Sequence, residues 1–153
     1  MRGILLIAVC TLLGGCVETG YRADPMPTGA IGPVNYSSFS QQTLVSINAY
    51  RRQHGLPPLR SHPVAETLAM QHSQRQAATG RLAHSDRVRR NAIARSAGLD
   101  GCGENVGTNH RSPQDVVRRW ARSPNHNAIM LWPGLRYAGV ARHGPYLTFL
   151  ACR

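Results

Sequence analysis

The chain has 153 residues, and since domains most often run to about 100 to 150 residues, this argues against a second folded domain. Eighteen basic against seven acidic side chains give a formal charge of +11, and every basic residue is Arg. That excess favours anionic neighbours such as lipid headgroups or phosphosugars, but the aromatics are few and not interleaved with the Arg runs, so nucleic acid is not the expected partner. The plainer alternative is a solvated Arg-rich surface without a partner.

At the N-terminus, Arg2 precedes an apolar run from Ile4 to Leu13. It is too short for the roughly 20 residues of a spanning helix but suits the core of a signal peptide, here residues 1–15. Leu13-Gly14-Gly15-Cys16 resembles the bacterial lipobox, in which the Cys becomes the lipidated first residue of the mature chain. The alternative is plain cleavage after the small pair, with Cys16 left as a thiol. Residues 16–37 are rich in Gly, Pro, Thr and Asp without a period and read as a flexible tether. An exported chain held at the cell envelope by its N-terminus is the expectation.

The folded part, 38–153, opens with a helix over Ser38 to His54, carrying Leu44, Ile47 and Tyr50 on one side and ended by Gly55. Leu56-Pro57-Pro58-Leu59 forces an extended link. A second helix begins at Pro63, a residue tolerated at the first helical position, and runs to Gly80 with His72 on its apolar side as a core histidine. Ser85 to Ala97 predicts a third helix whose inner stripe is Val88, Ala92 and Ile93. Its Arg87, Arg89, Arg90 and Arg95 form an exposed face. Glu104 to Gly107 predicts a short strand. Ser112-Pro113-Gln114-Asp115 starts a helix with an approximate capping box, and Ser123-Pro124-Asn125-His126 starts another with Ser as cap. Tyr137–Ala141 and Tyr146–Leu150 predict a hairpin turned at His143-Gly144-Pro145. Helices in front and a terminal hairpin suggest an antiparallel sheet with helices packed against it.

Four cysteines remain to be placed. Cys10 leaves with the signal and Cys16 with lipidation, so Cys102 and Cys152 are expected to pair in an oxidising compartment. Such a bridge closes a loop of about fifty residues and stabilises by about 4 kcal/mol in the chain-entropy account. Neither Cys has a nearby Cys or His at the spacing of a structural zinc site.

Asn48-Ala-Tyr-Arg51 with Gly55 and Leu59, Ala83-His84-Ser85, Gly103-Glu104-Asn105-Val106, Trp120-Ala-Arg-Ser123-Pro124-Asn125-His126, and Tyr137-Ala-Gly-Val140 come in the order and rough spacing of the CAP superfamily. From about Thr43 onward the chain resembles this family of cysteine-rich secretory, antigen 5 and pathogenesis-related 1 proteins, or SCP domains, in its short bacterial branch. The resemblance implies an α+β fold, a three-layer α-β-α sandwich around a small antiparallel sheet. It also implies a cleft with two His and two acids that in several members holds zinc or another divalent cation. Matched position by position, those residues are His84, Glu104 and His126, with Ser123 where the second acid would stand. Two imidazoles and one carboxylate make a sufficient zinc set with a fourth place for water, though the lost charge weakens it. The alternative is that both His bond Glu104 directly with no metal.

Two functions follow from the resemblance. One is an envelope binding module for a lipid, a glycan or a protein. The other is a metal-dependent hydrolase or peptidase using His84, Glu104 and His126 around a metal-activated water. Nothing marks a nucleophile elbow or oxyanion hole beside Ser85 or Ser123, so the binding module is preferred and catalysis is left open.

Overall fold

The structure is a computed structural model and describes residues 38–153. The expected signal segment 1–15, the expected lipidation at Cys16 and the expected tether 16–37 lie outside the described residues. In chain order the elements are α1 (Ser38–Gln53), β1 (Arg60–Ser61), α2 (Pro63–Thr79), α3 (Arg87–Ser96), β2 (Gly103–Thr108), α4 (Pro113–Ala121), α5 (Pro124–Met130), β3 (Tyr137–His143) and β4 (Tyr146–Cys152).

Local chemistry sets most of the boundaries. His62 is extended and its side chain accepts from the N–H of Val64, Pro63 fills the first helical position of α2, and Gly80 closes it at φ +64°, a left-handed conformation that Gly adopts without steric cost. At α4, Ser112 accepts from the N–H of Asp115. Asp115 reaches back to accept from the N–H of Arg111, so both ends of the cap are served.

The sheet order is β1-β3-β4-β2. β4 pairs antiparallel with both neighbours, and its alternation divides the core. Leu147, Phe149 and Ala151 join Ile47 of α1, Val116 and Trp120 of α4 and Met130 of α5 on one face. Leu150 and Cys152 join Ala65 and Leu68 of α2 and Ala94 of α3 on the other. The result is the α-β-α sandwich expected, with period-two burial separating its two apolar layers. Each large aliphatic or aromatic side chain so buried contributes about 1.5–3 kcal/mol.

One strand escapes the sequence. β1 is only Arg60–Ser61 and pairs parallel with β3, so the sheet carries one parallel edge beside its antiparallel body. What holds it is a side chain: Asn48 of α1 donates its Nδ2 to the carbonyl of Leu59 at 2.9 Å and accepts from the same residue's N–H at 2.8 Å. Arg51, one turn on and fully buried, donates to the carbonyls of Pro57 and Met130. The proline-rich link is therefore pinned from within, and its backbone continues into the sheet.

The third helix differs from expectation in phase. Asp86 sits at φ +55° and cannot be helical, so α3 starts at Arg87 rather than Ser85. Of the expected stripe, Ile93 packs on the core, but Val88 is 85 % exposed and Ala92 is exposed, while Arg90 and Ala94 are buried. The Arg-laden sequence hides which side faces inward, because the inward side mixes Arg90 with Ile93 and Ala94.

Cys102 and Cys152 are joined, 50 residues apart in sequence. The bridge lies one step beyond the Gly103–Ala151 pairing, closing the β2–β4 ladder at its end. On the opposite side of the sheet's centre, Gly139 lets α2 rest directly on β3. A Cβ there would stand 2.2 Å from backbone atoms of Ala65 and Glu66.

Two outcomes follow for stability. Gly139→Ala has no flexible neighbour to displace and should cost about 3 kcal/mol, the upper part of the usual overpacking range, read as a lowered urea midpoint with an unchanged slope. Replacing both bridging cysteines with Ser should cost about 4 kcal/mol, and adding a reductant to the unsubstituted chain should reproduce that shift.

Candidate functional site

Glu104, second residue of β2, pairs with Leu150 and so points to the α2–α3 side of the sheet. Its side chain is 1 % exposed. A bare carboxylate at such a site would carry a large desolvation cost, and its surroundings remove that cost. One oxygen pairs with Nη2 of Arg90; the other bonds Nδ1 of His84 at 2.9 Å and lies 3.6 Å from Nε2 of His72.

Arg90 was expected on an exposed face. It is instead 6 % exposed, because the left-handed Asp86 delays the helix and rotates Arg90 toward the sheet. Its Nη1 also donates to Nδ1 of His72 at 3.1 Å and to the carbonyl of Ser85. With His72 Nδ1 accepting, the ring's proton belongs on Nε2, which is 2.9 Å from the carbonyl of Ala83. His72 is thus the satisfied core histidine its position on α2 suggested. Burial first, then the nearby Arg90, keep its pKa low despite the opposing pull of Glu104, consistent with a neutral ring.

These bonds have a combined effect on His84. Its side chain is 52 % exposed, yet the carbonyl before it is held by His72 and the carbonyl after it by Arg90. A loop residue is fixed on both flanks by buried side chains. With Nδ1 bonded to Glu104, Nε2 is the ring nitrogen left for another partner.

His126 arrives from the other layer. Asn105, next to Glu104 and pointing the opposite way, donates Nδ2 to the carbonyl of His126 at 2.9 Å and so ties the first turn of α5 to the edge strand. The ring lies 6.0 Å from Trp120, tilted 40°. Burial and then His84 lower the pKa of His126, which favours its neutral form. Ser123 occupies the cap position expected. Its hydroxyl makes no capping bond; its carbonyl, accepting from Asn127 at 2.8 Å, begins the helix instead.

His84 and Glu104 are therefore brought into contact, and His84 acts electrostatically on His126, but the three do not gather. Among the described residues no group of three His, Cys, Asp or Glu side chains is placed to hold a metal ion. The donor set explains this. The carboxylate is already neutralised by Arg90, one nitrogen of His84 is spent on it, and Ser123 supplies no second charge. A divalent ion beside the Arg90–Glu104 pair meets repulsion from the guanidinium that offsets the pull of the carboxylate, so no net charge is left to hold it. The site as folded does not fit a divalent cation.

Sequence reasoning missed two residues here. Arg90 left one faint signal, that a lone buried acid in a basic chain requires a counter-ion. His110 left none. It is 7 % exposed, edge-on to Trp120 at 5.9 Å, with Nδ1 3.9 Å from Asp115, and neither ring nitrogen makes a hydrogen bond. Burial, then Arg119, lower its pKa.

Comparison with known proteins gives a consistent picture. The profile of the "Cysteine-rich secretory protein family", CAP, matches residues 44–146. The uncharacterized protein YkwD of Bacillus subtilis is 25% identical over 122 residues, 77% of this chain and 48% of that protein; the chain spans about half the length of this curated relative. Among solved structures, an extracellular protein containing a SCP domain from Bacillus anthracis superposes with a TM-score of 0.68 at 20% identity, over 74% of this chain and 40% of that one. An outer surface protein of Borrelia burgdorferi superposes with a TM-score of 0.66 at 15% identity, over 74% of this chain and 90% of that one.

The site predicts a pH dependence. His72, His110 and His126 all have pKa values lowered from 6.5 by burial. The unfolded chain binds these protons more readily than the folded one, so stability is full above that value and falls as the pH drops below it. The urea midpoint should decline between about pH 7 and pH 5, and His110→Phe should flatten the decline. Removing one partner of the buried pair, as in Glu104→Ala, should cost about 3–5 kcal/mol, measured at neutral pH.

Proposed function

The chain belongs to the cysteine-rich secretory protein, or CAP, family, and from that premise we infer that it is an exported binding module of the cell envelope, anchored through a lipid on Cys16. The module presents the His84–His126 edge of the sheet and the surrounding Arg-rich surface to a lipid, glycan or protein ligand. One observation carries this reading: the polar centre is a closed ion network whose outward member is a half-exposed His84 with a fixed backbone. A preset hydrogen-bonding group of that kind suits recognition, because little ordering remains to be done when a ligand arrives. The extracellular and outer-surface neighbours support export, and the net charge of +11 supports anionic ligands.

Hydrolysis does not recommend itself at this centre. Glu104 is locked between Arg90 and His84, so it is not a free base, and the hydroxyl of Ser123 has no activating partner among the described residues.

The reading is tested by titrating the full chain with two probes, anionic phosphatidylglycerol vesicles and soluble peptidoglycan fragments, and following Trp fluorescence. Saturable binding of one probe, lost in His84→Ala and kept in Arg95→Ala, is the expected result. Turnover of a fragment, or a His84→Ala variant that binds as well as the unsubstituted chain, would overturn it. In cell fractionation the chain should follow the membrane and Cys16→Ser should not.

A further inference from the structure

The buried guanidinium at the centre of this site helps to fix His84 in the reading above, and its position suggests a second role. We propose that Arg90 is a built-in cation that stands in place of a divalent metal, so that the site keeps its shape and its charge balance with no metal bound.

Three observations converge on it. The first is occupancy of the donors. Glu104 is the carboxylate on which any cation here must rest, and its two oxygens are taken by Arg90 and His84. Both nitrogens of His72 are committed, one facing Arg90 and one facing the Ala83 carbonyl. The second is charge. The centre holds one buried negative charge against one buried guanidinium, which sums to zero, and there is no further acid among its contacts for a second cation to pair with. The third is reach. A planar guanidinium carries donors in several directions from one point, and Arg90 uses them to connect β2, α2 and the loop before α3 through Glu104, His72 and Ser85. Drawing side chains from separate elements around one positive centre is the structural work that a bound metal performs.

The idea has an inverse consequence. If the guanidinium holds the cation's place, removing it should vacate that place and create a metal site from the residues it now occupies. Glu104 and His84 would become available ligands, with Nδ1 of His72 released beside them. Lys in place of Arg would keep the charge and so keep metal out. This holds whichever ligand the cleft takes.

Added cobalt(II) serves as the probe, read by its visible absorption and by thermal unfolding of the full chain. The unsubstituted chain and Arg90→Lys should show no cobalt band that depends on His84, and their melting temperatures should be unmoved by cobalt or by a chelator. Arg90→Met should melt lower without metal, rise with cobalt, and bind it about tenfold or more tighter than the unsubstituted chain. Adding His84→Ala to Arg90→Met should abolish both the band and the rise. A cobalt band in the unsubstituted chain that His84→Ala removes would overturn the proposal, since metal and guanidinium would then coexist. It would equally be overturned by an Arg90→Met chain that is folded and indifferent to cobalt, or one that stays unfolded whether or not cobalt is added.

Discussion

The pairing of Arg90 with Glu104 is the interaction on which the arrangement of this molecule's polar half depends. A carboxylate that is almost wholly buried in a sheet flanked by apolar layers survives only beside a positive charge that is equally dry. Meeting that requirement fixes more than two side chains. It sets the rotation of α3, holds the loop before it through the Ser85 carbonyl, and gives His72 its tautomer. Hydrophobic burial decides that there is a sandwich. The ion pair decides how the α2–α3 layer sits on the edge strand.

The two layers meet the site differently. From the α2–α3 side come Arg90, His72 and the half-exposed His84; from the α4–α5 side comes His126, steered by Asn105. Glu104 and Asn105 are neighbours in β2, and the alternation of a strand sends one to each layer. Two adjacent polar residues at a sheet edge thereby coordinate helices that never touch the same face. Gly103 and Gly107 on either side keep that edge narrow: a Cβ on Gly107 would stand 2.2 Å from the ring of His110, and one on Gly103 would stand 3.0 Å from Ile129.

Much of this was readable from residues alone. Pro63 and Gly80, Ser112 with Asp115, and Pro124 mark helix ends by what their backbones cannot do or what their side chains can cap, and these signals are local. The hairpin and the pairing of Cys102 with Cys152 rest on similarly short-range or arithmetic reasoning. The contact of His84 with Glu104 was legible through resemblance. What was not legible shares a cause. β1 has two residues and is held by the amide of Asn48 from another element, α3 buries an Arg beside its apolar Ala94, and His110 is placed by packing on Trp120. In each case a polar or aromatic contact between separate elements overrides the hydrophobic period, and that period carries no sign of it.

The grip of Asn48 on Leu59 also bears on how the protein comes together. The side-chain amide copies the donor and acceptor that a neighbouring strand would offer, so a helix serves as the template for an extended segment. A two-residue strand cannot hold its own register, and its order is borrowed from α1. That edge of the sheet therefore depends on α1 being in place. Local opening of α1 releases β1 with it, which makes the N-terminal helix and the sheet's far edge one cooperative unit although eleven positions separate Asn48 from Leu59.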